Sequence, residues 1–98
     1  MSIHRFNAKR DANDKELAGI ARKLGALLWP LSTPCDYLML WRGRFYAVEI
    51  KTDIGKFRPL QVKFIADVEA AGAEVLVWRS SADIVDCLNR LPQQVDQR

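Results

Sequence analysis

The sequence has no long apolar run, only two cysteines and a single histidine. A membrane-spanning helix needs roughly 20 consecutive apolar residues, so we expect no membrane span. Cys35 and Cys87 have no further cysteine or histidine at metal-site spacing, and His4 stands alone near the start, which argues against a zinc site. The start also lacks the apolar core of a secretion signal, so we expect free thiols in a reducing compartment.

The composition is that of one folded domain. Of the 98 residues, 49% are hydrophobic and 28% are charged, which suffices for a single core and differs from a disordered chain. No internal repeat or low-complexity tract divides the sequence. We expect one domain over residues 11–91, preceded by a basic flexible arm at 1–10 and followed by a polar tail at 92–98.

The net charge of +3 is unevenly distributed along the chain. Residues 1–63 carry 12 Lys and Arg against 6 Asp and Glu, whereas residues 64–98 carry 3 against 6. A positive field of this kind is typical of a surface that binds a polyanion, and scattered solubilising charge is the alternative. The candidate contacts with a nucleic-acid backbone are Lys9, Arg10, Lys56, Arg58 and Lys63.

Three stretches have the spacing of amphipathic helices. The first begins at Asn13, a good N-cap, and ends at Gly25; the second begins at Pro59; the third begins at Ser80 or Ser81. The side chains expected to face the core are Leu17, Ile20, Ala21 and Leu24 in the first helix, Leu60, Phe64, Ile65 and Val68 in the second, and Ile84, Val85 and Leu88 in the third.

Four other stretches are rich in strand-forming residues, at 26–31, 36–41, 45–52 and 74–79. The tight Arg42–Arg44 connection predicts an antiparallel hairpin of the second and third strands. The third strand passes through a helix to the fourth, which predicts a parallel pair with a right-handed crossover. The class is therefore α/β, a small mixed sheet flanked by helices in the order α-β-β-β-α-β-α. We expect Trp29, Trp41 and Trp78 to pack rather than to stack on bases.

The third strand carries two charges in a stretch otherwise suited to a core. Side chains alternate along a strand, so Glu49 and Lys51 share one face while Val48 and Ile50 take the other. The hairpin places Asp36 roughly opposite this charged pair. Two carboxylates beside a lysine suit a hard divalent cation such as Mg²⁺, which can polarise a phosphoryl oxygen.

Asp36, followed thirteen residues later by Glu49-Ile50-Lys51, resembles the PD-(D/E)XK nuclease signature, and the element order is similar to that superfamily's restriction-endonuclease-like core. The chain departs from the pattern at Cys35, where the family usually has Pro, and at Asp14, where related sequences commonly carry Glu. More narrowly, residues 10–91 resemble a minimal stand-alone VRR-NUC domain of the phage and bacterial kind. The matching segments are Arg10–Asp14, Val48–Thr52, Gly55–Phe57, Leu60–Gln61 and Val75–Ser81.

The resemblance implies a Mg²⁺- or Mn²⁺-dependent endonuclease acting on branched or structured DNA, such as four-way junctions or flaps, in the cytoplasm of a bacterial or phage-infected cell. Cutting two strands with one small site requires two copies, so we expect a homodimer, with no cofactor other than the metal. The residues that the resemblance implies are Asp36, Glu49, Lys51 and Gln61 as the catalytic group, and Asp36, Glu49, Ile50 and Asp14 as metal ligands, with Glu16 as the alternative acid of helix one.

Each of these residues also has a plainer interpretation. Glu49 and Lys51 could form an ion pair on a half-exposed strand, and Asp36 could cap the loop before its strand. Asp14 could only compensate the helix dipole, and Glu16 could only belong to a capping box at the start of helix one. Gln61 could be an exposed residue of the first turn of its helix. For the function, the alternatives are a non-catalytic nucleic-acid-binding module with the same fold and a small phage interaction protein.

Overall fold

The computed structural model describes residues 13–51 and 56–92. In these residues the order α-β-β-β-α-β-α and the small mixed sheet are as predicted, and no helix is long and apolar enough to cross a membrane. The predicted arm and most of the predicted tail lie outside the described residues, so the division into arm, domain and tail stays a prediction. The elements are α1 Asp14–Lys23, β1 Leu27–Pro30, β2 Tyr37–Trp41, β3 Arg44–Ile50, α2 Pro59–Ala70, β4 Val75–Trp78 and α3 Ser81–Arg90.

The four strands form one sheet in the order β1-β2-β3-β4. The β1–β2 and β2–β3 pairs are antiparallel and the β3–β4 pair is parallel, as predicted. Arg42 and Gly43 form the two-residue hairpin turn, both with positive φ (52° and 84°), which matches the twist of the flanking strands. Pro30 lies in the edge strand β1, where its missing N–H costs no ladder hydrogen bond.

One face of the sheet carries the hydrophobic core. Tyr37, Val48 and Leu76 lie side by side on three neighbouring strands and point to this face. Helices α1 and α3 cover it, and they also contact each other. The helix side chains buried there are Leu17, Ala18 and Ala21 of α1 and Ile84, Cys87 and Leu88 of α3.

The opposite face carries Glu49 and is only partly covered. Helix α2 contacts it, yet Gln61 is the one buried residue of this helix. Leu60 is 78% exposed, so the prediction that it faces the core is wrong. The inward stripe keeps its helical spacing but begins one residue later, at Gln61, and continues through the half-buried Phe64, Ile65 and Val68.

The remainder of this second face is an open apolar surface. Leu27, Trp29 and Phe45 are 53%, 45% and 62% exposed. The Trp29 and Phe45 rings lie 6.4 Å apart between centroids. We call these three residues the open sheet face. Packing was predicted correctly for Trp78, which is fully buried, and for Trp41, which packs against the core.

Two further expectations concern α3 and the cysteines. Helix α3 begins after Ser80, whose side chain accepts a hydrogen bond from the Asp83 N–H at 3.2 Å, so Ser80 is the cap. Val85 is 44% exposed, and its predicted place in the core is taken by Cys87. Cys35 and Cys87 are both buried and free, as expected.

Candidate active site

The end of β3 carries two charged side chains that are withdrawn from solvent. Glu49 is 0% exposed and Lys51 is 5% exposed. Val48 and Ile50, which alternate with them, belong to the core on the other face, so the predicted division of faces is present. Burying a carboxylate and an ammonium is costly unless each has partners, and the neighbouring elements supply some of these.

Gln61, in the first turn of α2, stands between the two charges. Its Oε1 accepts hydrogen bonds from Lys51 Nζ at 2.9 Å and from the Arg58 main-chain N–H at 2.8 Å. Its Nε2 donates to Glu49 Oε1 at 3.2 Å. Among the described residues, Lys51 and Glu49 make no direct ion pair with each other. One amide therefore bridges the pair and fixes the start of α2 over the sheet.

Asp36 reaches the same point from the strand next to β3. The register pairs Tyr37 with Val48, so Asp36 lies across from Glu49, as the hairpin predicted. The Asp36 N–H donates to the Val48 carbonyl at 3.1 Å, and Asp36 Oδ2 accepts from the Ile50 N–H at 2.8 Å. These bonds hold the Asp36 carboxylate beside β3.

The pKa of Glu49 is strongly raised. Burial raises the pKa of Glu49 to about 8, and the charge of Asp36 and a hydrogen bond between the two carboxyl groups add to the rise; Lys51 and Arg58 oppose it. Glu49 Oε2 has no hydrogen-bond donor. Because two carboxylates cannot bond to each other without a shared proton or a cation, the pair fits a divalent cation held by oxygen ligands.

Ile50 and Asp14 relate differently to this pair. The Ile50 side chain is in the core, so only its main chain can take part. The buried Asp14 carboxylate accepts a hydrogen bond from the Tyr37 hydroxyl at 2.9 Å. The described residues contain no group of three or more His, Cys, Asp or Glu side chains placed to hold a metal. The structure thus brings Asp36 and Glu49 together, while a third carboxylate from α1 stays a prediction; Glu16 is exposed.

Three residues around Lys51 were not identified from the sequence as part of the site. Asn13 Nδ2 donates to the carbonyls of Lys51 and Arg79, at 3.0 and 3.2 Å, and so ties the start of α1 to the ends of β3 and β4. Asn13 is the N-cap residue of α1, as predicted, but its side chain makes these bonds instead of a cap hydrogen bond. Lys51 Nζ and the Arg79 guanidinium both lie over the Phe57 ring, 5.3 and 5.7 Å from its centroid. No local pattern signals the contacts of Asn13 and Arg79, because they join segments far apart in sequence.

Three of the five basic residues predicted to contact phosphates lie in the described part of the chain. Lys56 and Arg58 are exposed close to the site, before α2. Lys63 is also exposed and pairs with Asp67 at 2.9 Å along the outside of α2. Lys9 and Arg10 lie outside the described residues. Binding of nucleic acid by any of the five stays a prediction.

The comparison with solved structures agrees with this architecture. A chain described as a "VRR_NUC domain" superimposes with a TM-score of 0.66 and 22% identity, over 82% of this chain and 98% of that chain. No family model and no curated protein matches the sequence. At this identity the likeness establishes the fold, which is the small α/β fold of a VRR_NUC domain.

Proposed function

We propose that the chain is a divalent-metal-dependent deoxyribonuclease that hydrolyses phosphodiester bonds. The observation that carries the proposal is the fully buried Glu49, whose Oε2 has no donor and whose neighbour is the Asp36 carboxylate. Keeping the Glu49 carboxylate buried beside a second carboxyl group is costly for a fold, and metal binding offsets that cost. The VRR_NUC-like fold supports the same conclusion.

Asp36 and Glu49 would hold the cation, with Mg²⁺ or Mn²⁺ as candidates because both prefer oxygen ligands. When bound, such an ion supplies Lewis-acid polarisation of a phosphoryl oxygen and lowers the pKa of water. The resemblance to the nuclease family adds Asp14 and the main chain of Ile50 as further candidate ligands. The bond from the Ile50 N–H to Asp36 Oδ2 sets the direction in which that carboxylate points.

Lys51 is the group that acts on the reacting phosphate. Gln61 takes one of its three N–H bonds and orients the ammonium, and the Phe57 ring lies beside it. The ammonium would orient the attacking water and stabilise the negative charge that develops on the phosphate oxygens. The water oxygen bonds to phosphorus and releases one proton to solvent, one ester P–O bond breaks, and the departing sugar oxygen takes up a proton, which leaves a phosphomonoester and an alcohol.

The DNA backbone would lie across the start of α2. Lys56 and Arg58 are exposed there, next to the Gln61 contact with Glu49 and Lys51. Binding through such residues releases counterions and weakens steeply with salt. From the family resemblance we propose four-way junctions or flaps as substrates, in the cytoplasm of a bacterial or phage-infected cell.

We also propose that two copies associate through the open sheet face, which would bring two sites to one DNA. Its exposed aromatic and aliphatic side chains are of the kind that form the centre of protein interfaces. Phe45→Glu should convert a dimer to a monomer in sedimentation analysis. Val85→Glu, at an exposed apolar position on α3, should leave the dimer intact. A monomeric unmodified protein at tens of micromolar would contradict this assignment.

The activity is tested with labelled four-way junctions and linear duplexes in Mg²⁺, Mn²⁺ or EDTA. We expect metal-dependent cleavage that Glu49→Gln and Lys51→Ala reduce by roughly 100-fold or more. The exposed Glu69→Gln and Lys23→Ala serve as matched controls and should cleave normally. Salt-sensitive binding without cleavage would identify the non-catalytic nucleic-acid-binding module, and neither binding nor cleavage would indicate the interaction protein.

A further inference from the structure

A cavity of about 570 Å³ opens directly beside the proposed catalytic residues. Its two walls are the loop from Leu31 to Asp36 and the start of α2 from Arg58 to Gln61. Asp36 and Gln61 thus belong both to the cavity and to the site. Most of the lining is apolar, with Leu31, Pro34, Pro59 and Leu60 contributing, and Ser32 and Thr33 add hydroxyl groups.

Leu60 stands at the rim of this cavity in an unusual setting for a leucine. It is 78% exposed and immediately precedes Gln61, which contacts both buried charges. It lies in the first turn of α2, so an opposing surface can reach it directly. Proteins that bend or open DNA often insert such an apolar side chain between neighbouring bases.

We propose that the cavity receives one unstacked nucleobase of the strand being cut, and that Leu60 fills the gap which this base leaves in the stack. The inference rests on the proposed function, because it requires a phosphodiester at Asp36 and Glu49. The cavity volume falls within the range of about 300–1,000 Å³ that is usual for small-molecule sites. Its apolar walls suit the faces of a base, and its hydroxyl groups can meet the polar edge.

The cavity adjoins the proposed catalytic site, and this favours a nucleobase over a protein segment as its occupant. A nucleotide whose phosphate lies at Asp36 has its own base, or that of its neighbour, within reach of a cavity that Asp36 itself lines. The exposed Arg58 adds positive charge at the same rim, which complements the backbone on either side of the base. An apolar protein segment has no such match to a cationic rim.

The cavity and Leu60 would make binding depend on whether the nucleotide at the cleavage point is stacked and paired. An intact duplex must give up stacking and pairing to place a base in the cavity, at a cost of a few kcal/mol. An unpaired nucleotide at a branch or flap has already lost those contacts. The cavity and Leu60 would therefore select structured DNA over continuous duplex without reading sequence.

The test places 2-aminopurine at successive positions around the mapped cleavage point and records its fluorescence on binding to the Lys51→Ala protein, in which we expect cleavage to be strongly reduced. We expect a rise at one position, which Leu60→Ala removes and which Ser32→Phe, by filling the cavity, also removes. Val62→Ala is the matched control, because Val62 is another exposed apolar residue of α2 that does not line the cavity. Thermal melting checks that each variant folds.

Cleavage rates supply the second measurement, in the Lys51-containing protein. Leu60→Ala should lower kcat/KM on linear duplex by roughly 10-fold, within the range that loss of one base-stacking contact gives. It should lower kcat/KM less than threefold when the nucleotide at that position is unpaired. Cleavage with no fluorescence rise, or with a rise that survives both variants, overturns the inference while the nuclease remains. Absence of binding and cleavage refutes the proposed function itself, and the inference with it.

Discussion

The buried Glu49 beside Asp36 predicts that stability decreases with rising pH when metal is removed. The pKa of Glu49 is about 8 in the folded chain, against 4.5 for an ordinary glutamate. Between these values the folded protein holds a proton that the unfolded chain has released. Unfolding then releases a proton, so the free energy of unfolding falls as the pH rises.

The size of the effect follows from one proton. The free energy of unfolding changes by about 1.4 kcal/mol per pH unit within the window. From pH 5.5 to pH 7.5 the loss is therefore roughly 2.7 kcal/mol. For a domain of this size that corresponds to a decrease in Tm of roughly 10–20 °C. Saturating Mg²⁺ should restore most of this stability at pH 7.5 and little at pH 5.5, because the cation then takes the place of the proton.

The assay is thermal melting in EDTA and in Mg²⁺ across this pH range. Glu49→Gln removes the ionisable group, so its Tm should be insensitive to Mg²⁺ and should exceed that of the unmodified protein at pH 7.5 in EDTA. Glu69→Gln, at an exposed position of α2, should behave like the unmodified protein. If the Tm of Glu49→Gln and that of the unmodified protein change in the same way with pH and with Mg²⁺, the proposed protonation of Glu49 is refuted.

Three further predictions concern the stability contributed by Asn13 and Ser80 and the reactivity of Cys35. Asn13→Ala should lower the free energy of unfolding by about 2 kcal/mol, because its two hydrogen bonds to the ends of β3 and β4 are lost. Chemical denaturation measures this loss, with the exposed Asn89→Ala as the control. Equal stability of the two variants would contradict the prediction. Ser80→Ala should cost about 1 kcal/mol through loss of the α3 cap, whereas Ser81→Ala should cost little in the same denaturation experiment. Burial raises the pKa of the Cys35 thiol to about 11, so iodoacetamide at pH 8 should modify it roughly 100-fold more slowly than a free thiol; mass spectrometry of the folded and urea-unfolded protein tests this, and rapid labelling of the folded protein would argue against it.

The strands and their register were predictable because local rules determine them. A two-residue turn at Arg42 and Gly43 leaves one antiparallel register, and that register places Asp36 across from Glu49. The alternation of Val48 and Ile50 with the charged residues gave each side chain its face. The carboxylate pair could therefore be located from sequence by counting from the turn.

The orientation of α2 and the supports of Lys51 could not be predicted in this way. Periodicity places Leu60, Phe64, Ile65 and Val68 on one face, but Gln61 with the last three has the same helical spacing. The polar contacts of Gln61 decide between the two, and they depend on a strand that a loop separates from the helix. Asn13 is the N-cap that the sequence predicted, but its side-chain partners could not be predicted, since they lie at the ends of distant strands.

The weak attachment of α2 has a consequence for how activity responds to heat. This helix buries no apolar side chain fully: Phe64, Ile65 and Val68 are half-buried, and Gln61 ties its first turn to Glu49 and Lys51. Segments with so little buried apolar surface open locally at lower free energy than the core. On warming, α2 would detach while the sheet and the other two helices remain folded. The chain would then lose its catalytic arrangement at a temperature below its melting point, and regain it on cooling without having to refold.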